Sequence, residues 1–266
     1  MAELSLKLVN LSWSSSVGGF VFGPVSAVAE QDSFIALVGP NGSGKSTLLN
    51  LVSGLLHSES GQICYSGTEW EKWSARMRGR HIAFLSQEPE KPFGFSVRDY
   101  IALGRFPHLG PFRRLGAADR RGIASEMEAW GLKTMEDRSV STLSGGEFQK
   151  VRLARALVQE PKILLMDEPG NHLDLASRMD ILHRLKKEAG KGKSVIAVLH
   201  DINDALLYAD RVWLLSKGKL HLSGLPSRVL SPETLNAVYG VSLTTFKNSE
   251  GVTMLGSPSI NRSSPD

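Results

Sequence analysis

The chain has 266 residues, 41% hydrophobic and 22% charged, enough for a packed core in one large α/β domain or two smaller lobes. Its 31 Lys and Arg against 27 Asp and Glu leave a net charge of +4, too mild for a dedicated nucleic-acid binder. No run approaches the roughly 18 consecutive apolar residues of a membrane span. Met1-Ala2-Glu3-Leu4 lacks the basic and apolar regions of a secretory leader, and the single Cys64 excludes an intrachain disulfide, so a chain in the reducing cytoplasm is expected.

Leu4, Leu6 and Leu8 alternate with Ser5 and Lys7 as in a half-buried strand, and Gly18-Gly19 offers a turn into a second strand over Phe20 to Val25. An N-terminal antiparallel β lobe is expected there. A buried strand, Phe34 to Val38, then leads into Gly39-Pro40-Asn41-Gly42-Ser43-Gly44-Lys45-Ser46-Thr47 and a helix-prone Leu48 to Val52. The stretch fits G-x-x-x-x-G-K-[ST], whose glycines let successive N–H groups turn toward phosphate oxygens at the positive end of the next helix. Lys45 is expected to reach the β- and γ-phosphates, Ser46 to offer a hydroxyl to Mg²⁺, and Thr47 to lie nearer the α-phosphate. Taken alone, this loop leaves kinase, GTPase and motor chemistry all open.

Gly61 to Gly67 and Ile82 to Ser86 read as further short strands. From Glu88 to Thr142, prolines at 89, 92, 107 and 111 separate segments of helical character, which suggests an inserted helical lobe. Ser96 with Asp99 forms a capping box for a helix that Gly104 is expected to close, and Asp119 to Trp130 is a second helical stretch. After Thr142, helices Gly145 to Val158, Ala176 to Ala189 and Ile202 to Tyr208 alternate with strands Ile163 to Met166 and Val195 to Leu199, the pattern of a parallel sheet covered by helices. A hairpin over Val212 to Leu215 and Leu220 to Leu222 follows, Ser231-Pro232 opens a last helix, and residues 256–266 have little to bury.

Leu143-Ser144-Gly145-Gly146-Glu147 heads the helix that runs on through Leu157. A capping box accounts for Ser144 and Glu147 but not for two glycines in a first turn, where each weakens the helix. Bare glycines there admit a close approach, and a helix N-terminus attracts anions, so the chain carries a second phosphate-binding end. A composite site across two copies is an economical use of both.

With these motifs the sequence resembles the nucleotide-binding subunits of ABC transporters, whose signature is LSGGQ and in which the Glu147 variant is common. The resemblance reaches to about Phe246. It implies a P-loop NTPase (RecA-like) α/β fold with a mostly parallel sheet, in which residues 1–255 form one domain: 1–87 and 143–255 the β lobe and core, 88–142 a helical subdomain, with 256–266 as a flexible tail. Ile163-Leu164-Leu165-Met166-Asp167-Glu168 looks like the Walker B strand, making Asp167 a Mg²⁺ residue and Glu168 the general base. His200 matches the switch histidine that contacts the γ-phosphate, with Lys45 completing the catalytic set. Gln87 matches the Q-loop glutamine that ligates Mg²⁺ and couples to the inserted lobe. Trp13 stands where a stacking tyrosine is usual, with core packing or Phe20 or Phe22 as alternatives. Pro169-Gly170-Asn171-His172-Leu173-Asp174 is similar to the D-loop, with Gly170-Asn171 in place of the usual Thr-Ser and Asp174 retained.

On that resemblance the expected ligands are ATP and Mg²⁺. The expected partners are a second copy of the chain, an integral membrane permease and a periplasmic or lipid-anchored substrate-binding protein, with no nucleic acid; the expected location is the cytoplasmic face of the inner membrane. Asp99 to His108, Val198 to Ala205 and Leu235 to Val241 resemble importers of iron-siderophore, haem or cobalamin. Import of another substrate such as metal ions, or a soluble non-transport ATPase acting on DNA or ribosomes, are the alternatives.

Overall fold

The computed structural model describes residues 6–16, 19–87, 91–110, 114–171, 173–247, 249 and 251–257. Leu4 and Ser5 of the first expected strand, Gly18 of the turn, the prolines at 89 and 111, His172 and the tail beyond 257 lie outside the described residues.

Strands β1 (Leu6–Ser14) and β2 (Val21–Ala29) pair antiparallel. Then β3 (Ser33–Val38) runs into α1 (Lys45–Ser53), and β4 (Ser60–Tyr65) with the short β5 (Thr68–Glu69) completes a four-stranded sheet of order β2-β1-β4-β5. Helix α2 (Ala75–His81) precedes β6 (Ile82–Leu85), and α3 (Val97–Ala102), α4 (Ala117–Ala129) and α5 (Gly145–Val158) follow. Strand and helix then alternate through β7 (Ile163–Met166), α6 (Leu175–Ala189), β8 (Ser194–Val198), α7 (Ile202–Tyr208) and β9 (Arg211–Ser216). The described chain closes with β10 (Lys219–Gly224), α8 (Pro226–Val229), α9 (Pro232–Tyr239) and the hairpin β11 (Thr244–Lys247) and β12 (Thr253–Gly256).

The second sheet has the order β10-β9-β3-β8-β7-β6 and is parallel except for β10. Both faces are covered, which is why its strands read as unbroken apolar runs rather than alternating ones. Along β3, Phe34, Ala36 and Val38 join the cluster that contains α5 and α6, while Ile35 and Leu37 join the cluster shared with α1 and the antiparallel sheet. Residues of β7 and β8 divide the same way, Leu164 and Met166 opposite in face to Ile163 and Leu165.

Helices α3 and α4 rest on α5, with Tyr100, Ile101, Ile123 and Met127 buried in the cluster that also holds Phe148 and Val151. Ser96 caps α3 by accepting from Asp99 N at 3.1 Å, but the helix does not run to Gly104. It ends at Ala102 and tightens into a 3₁₀ turn over Leu103–His108. The reason is packing: Gly104 is buried against α5, where a Cβ would lie 2.1 Å from the Arg155 carbonyl oxygen and 2.6 Å from Val158 Cγ1. Its glycine therefore serves close approach and not a left-handed cap. Arg105 then spans the interface, bonding Asp119 at 2.9 Å and the Val158 carbonyl at 2.8 Å.

Neither α2 nor the β11–β12 hairpin is legible in the sequence. The hairpin is held from outside itself: Asn203 on α7 pairs with the Leu255 backbone at 2.8 and 3.1 Å, and Asn236 on α9 accepts from Leu243 N at 2.7 Å. Because the contact at Gly104 is with backbone that cannot move aside, Gly104→Ala is expected to destabilise the chain by about 2 kcal/mol, a fall of roughly 5 °C in Tm. Thermal unfolding of the variant measures this, and an unchanged Tm contradicts the close approach.

Candidate active site

Four adjacent parallel strands end at one edge of the sheet, and each hands its next residues to the site. In register, Leu85 lies opposite Met166, Met166 opposite Ala197, and Leu37 opposite Val198. Gln87, Asp167 with Glu168, His200 and the loop from Gly39 thereby emerge side by side, outside the carboxyl ends of the strands.

The loop owes its shape to glycine. Gly44 has φ +99° at the N-cap of α1, and Gly39, at φ +151°, leaves no room for a Cβ, which would lie 2.2 Å from the Leu215 carbonyl oxygen. Lys45 is 8% exposed and donates to the carbonyls of Gly39 at 2.8 Å and Pro40 at 3.0 Å. A cavity of about 390 Å³ opens over the loop, lined by Phe20, Asn41, Gly42, the run from Gly44 to Thr47, and Glu168. Trp13 does not line it. It sits half-buried in β1 opposite Phe22 and packs on the cluster under the antiparallel sheet.

Asp167 is 7% exposed, hydrogen-bonded to Ser46, and its Oδ1 has no partner among the described residues. Burial raises its pKa, while the Ser46 bond and the Lys45 charge act against the rise. Burial lowers the pKa of Lys45, and Glu168 and Asp167 act against that fall. An orphaned carboxylate oxygen beside a hydroxyl, with the Gln87 amide nearby, is an oxygen-donor set that fits Mg²⁺, which takes only one or two protein carboxylates. Among the described residues no cluster of three or more His, Cys, Asp or Glu suggests another metal.

Glu168 has φ +55°, an uncommon conformation for a non-glycine residue, and its carboxylate is bonded at both oxygens. Oε2 accepts from Gln87 Nε2 at 3.0 Å and from Asn171 Nδ2 at 2.5 Å, and Oε1 lies 2.5 Å from His200 Nε2. Two neighbours not singled out in the sequence support this arrangement. Gln149 donates to the Pro169 carbonyl at 2.8 Å, and Arg152 bonds Gln149 Oε1 at 2.8 Å and the Ser86 carbonyl, so α5 grips the backbone beside both Glu168 and Gln87. Nothing in their spacing marks either, because each acts through a backbone oxygen distant in sequence.

Ser144 caps α5, accepting from Glu147 N at 3.2 Å, while Glu147 Oε2 accepts from Ser144 N at 2.7 Å. Ser144 and Gly145 are exposed. Gly145 faces a cleft of about 590 Å³ that it shares with Gln87, Lys91, Asp167, Glu168 and Asn171, and no residue from Ser144 to Glu147 lines the cavity over the phosphate loop of its own chain. Gly146 lies on the first turn of α5, facing Leu173 and Ser177. Asp174 caps α6, accepting from Ser177 N at 2.8 Å and Ser177 Oγ at 2.9 Å, which holds its carboxyl below the usual range. The chain thus gathers Lys45, Ser46, Gln87, Asp167, Glu168 and His200, while Trp13, Asp174 and the Ser144 to Glu147 turn are not among the residues that line the cavity over its phosphate loop.

A profile of the family described as ABC transporter matches residues 22–171. The chain is 39% identical over 230 residues to the hemin import ATP-binding protein HmuV of Myxococcus xanthus, spanning 84% of this chain and 85% of that protein. It is 36% identical over 209 residues to the ferric enterobactin transport ATP-binding protein FepC of Escherichia coli, spanning 78% and 77%. Among solved structures it superposes with a TM-score of 0.83 and 27% identity on a chain described as a metal-chelate type ABC transporter in an inward-facing conformation, covering 95% of this chain and 97% of that one. A dimeric ATP-binding cassette in a post-hydrolysis state with ADP and Pi gives a TM-score of 0.73 at 26% identity, covering 83% and 98%.

The bonds to Ser144 hold the Glu147 carboxyl below its usual value of 4.5. A depressed folded pKa means a contribution present above the unfolded value and lost as pH falls through the folded one. Ser144→Ala is expected to cost about 1 kcal/mol at neutral pH, a typical loss for a helix cap. In Glu147→Gln that share of the acid sensitivity should vanish. Urea unfolding at pH 7 and below pH 4 separates the two effects, and equal acid sensitivity of Glu147→Gln and the parent rejects the assignment.

Proposed function

This chain belongs to the ABC transporter family, and from that premise we propose that it is the ATP-hydrolysing subunit of an importer for a metal chelate of the iron-siderophore, haem or cobalamin class. The observation that carries ATP hydrolysis is the convergence at one sheet edge of Lys45, Asp167, Glu168, Gln87 and His200, with Glu168 bonded to both Gln87 and His200, while the chelate class rests on the likeness to the hemin and ferric enterobactin ATP-binding proteins. Lys45 places its charge on the β- and γ-phosphates in the loop cavity, and Phe20, which lines that cavity, offers a ring to the adenine. Ser46, Asp167 and Gln87 would hold Mg²⁺, which would supply charge neutralisation at the γ-phosphate. Glu168 takes the proton of the attacking water, and the His200 imidazole keeps that carboxylate turned toward the γ-phosphate.

The exposed start of α5 supports a second copy as partner. Ser144, Gly145, Gly146 and Glu147 present a helix N-terminus that serves the phosphates held in the loop of the other chain, so two ATP molecules join two chains. Asp174 belongs to the same contact surface.

No helix among the described residues is long and apolar enough to cross a membrane. The work of transport on this reading is done on a separate permease. Phe106 is 74% exposed and Phe93 87% exposed beside α3, and such projecting aromatics suit a protein partner. On this reading the chain sits peripherally on the cytoplasmic face, with a substrate-binding protein acting through the permease from the other side.

Glu168→Gln should bind MgATP with nearly the parent affinity and lose turnover by at least about a hundredfold, the typical contribution of a positioned base; near-normal turnover rejects the base assignment. Lys45→Ala should weaken ATP binding itself, which equilibrium titration with a fluorescent ATP analogue reads directly. For substrate class, reconstitution with a candidate permease and chelate-loaded binding protein should stimulate ATP hydrolysis, whereas stimulation by an unrelated substrate alone refutes the chelate reading.

A further inference from the structure

Gly170 and Asn171 replace the Thr-Ser pair usual for this loop, and both have a reason within the chain. A Cβ on Gly170 would lie 2.7 Å from Arg178 Cγ. Arg178 is committed there: it pairs with Asp201 at 2.8 Å and Asp204 at 3.1 Å, and Asp201 directly follows His200. The loop after Glu168 is therefore packed on the side chain that anchors the start of α7, and a residue larger than glycine at 170 displaces that anchor.

Asn171 faces the other way. Its backbone N donates to the Glu168 carbonyl at 3.2 Å, closing a tight turn, and its side-chain Nδ2 donates to Glu168 Oε2 at 2.5 Å. A short amide three residues beyond a carboxylate, with the backbone between them closed, has little freedom to look elsewhere. The two oxygens of Glu168 are thereby made unequal, Oε2 taken by the amides of Asn171 and Gln87 and Oε1 by the His200 imidazole. Asn171 itself is exposed and adds nothing to either apolar cluster, so its bond serves the orientation of one carboxylate.

We propose that Asn171 is a positioning residue for ATP hydrolysis, fixing the Glu168 carboxylate of its own chain by an amide bond to Oε2; this rests on the reading of Glu168 as the base. In this chain the turn that follows the carboxylate does in cis what rotation of a free glutamate side chain undoes.

The test uses the full-length chain and the variants Asn171→Ala, Asn171→Asp and Asn171→Ser, each alone and with Glu168→Gln. Expected for Asn171→Ala is a fall in kcat of about tenfold, the scale of one hydrogen bond to a charged group, with KM and the affinity for a non-hydrolysable ATP analogue within about twofold of the parent and the Tm unchanged. Asn171→Asp sets a like charge against Glu168 and should fall further. Asn171→Ser keeps a donor and should recover part of the loss. With Glu168→Gln in place, Asn171→Ala should lower the residual rate no further. Parent-level turnover by Asn171→Ala beside an inactive Glu168→Gln overturns the proposal while leaving the base assignment intact. A parallel loss of nucleotide affinity, or a full further loss in the double variant, overturns it as well. Normal turnover by Glu168→Gln removes the base assignment and this proposal with it.

Discussion

The hydrogen-bonded register of the central parallel strands is the constraint on which the other features depend. Leu85, Met166 and Ala197 are aligned across β6, β7 and β8, and Leu37 is aligned with Val198 across β3 and β8. A slip of one residue in any pair turns every side chain of that strand to the opposite face and moves its terminal polar residue by more than 3 Å along the strand. With two buried faces, such a slip exchanges two well-packed sets of side chains for two badly packed ones. The separation of 2.5 Å between Glu168 and His200 is thus inherited from apolar packing several residues away.

That packing also decides how the helical segment communicates with the strand ends. Helix α5 is buried through Val151, Leu153, Ala154 and Leu157, and Gly104 allows the 3₁₀ turn after α3 to press against its backbone. From this seat Arg152 and Gln149 bond the carbonyls of Ser86 and Pro169. Arg152 is 4% exposed, and its guanidinium needs the Ser86 carbonyl and Gln149 Oε1 as partners, since an unpaired buried charge is costly. The same helix that offers Ser144 and Gly145 to solvent is therefore hydrogen-bonded to the segments that carry Gln87 and Glu168. Its exposed end is thereby linked to both segments through two side chains and no intervening loop.

Charge is arranged with comparable economy. Lys45 and Asp167 are both nearly buried, and burial alone drives each toward its neutral form. Each is restrained by the other's charge, which makes the pair mutually dependent even though one opens α1 and the other follows β7. Two carboxylates against one ammonium leave the site one negative charge in excess. A hard cation would relieve that excess, and the loop N–H groups and Lys45 would meet a polyphosphate.

Much of this was legible in the chain itself wherever the information is local. Gly39 to Thr47 declares a phosphate loop because backbone conformation and charge are both set within nine residues. The continuous apolar runs at Phe34 to Val38, Ile163 to Met166 and Val195 to Leu199 declare buried parallel strands because both faces need covering, and Ser96, Ser144 and Ser231 declare helix starts because a cap bonds only three residues ahead. What only the tertiary structure decided is whatever depends on contact between distant segments. It ended α3 at Ala102, since Gly104 answers to Arg155 and not to its own helix; it set Phe20 over the loop cavity and drew Trp13 into the packing of β1. It also made Asn171 a partner of Glu168, because the direction of that amide follows from the φ of Glu168 and from the Arg178 side chain lying under Gly170, and neither is written in the spacing of the residues.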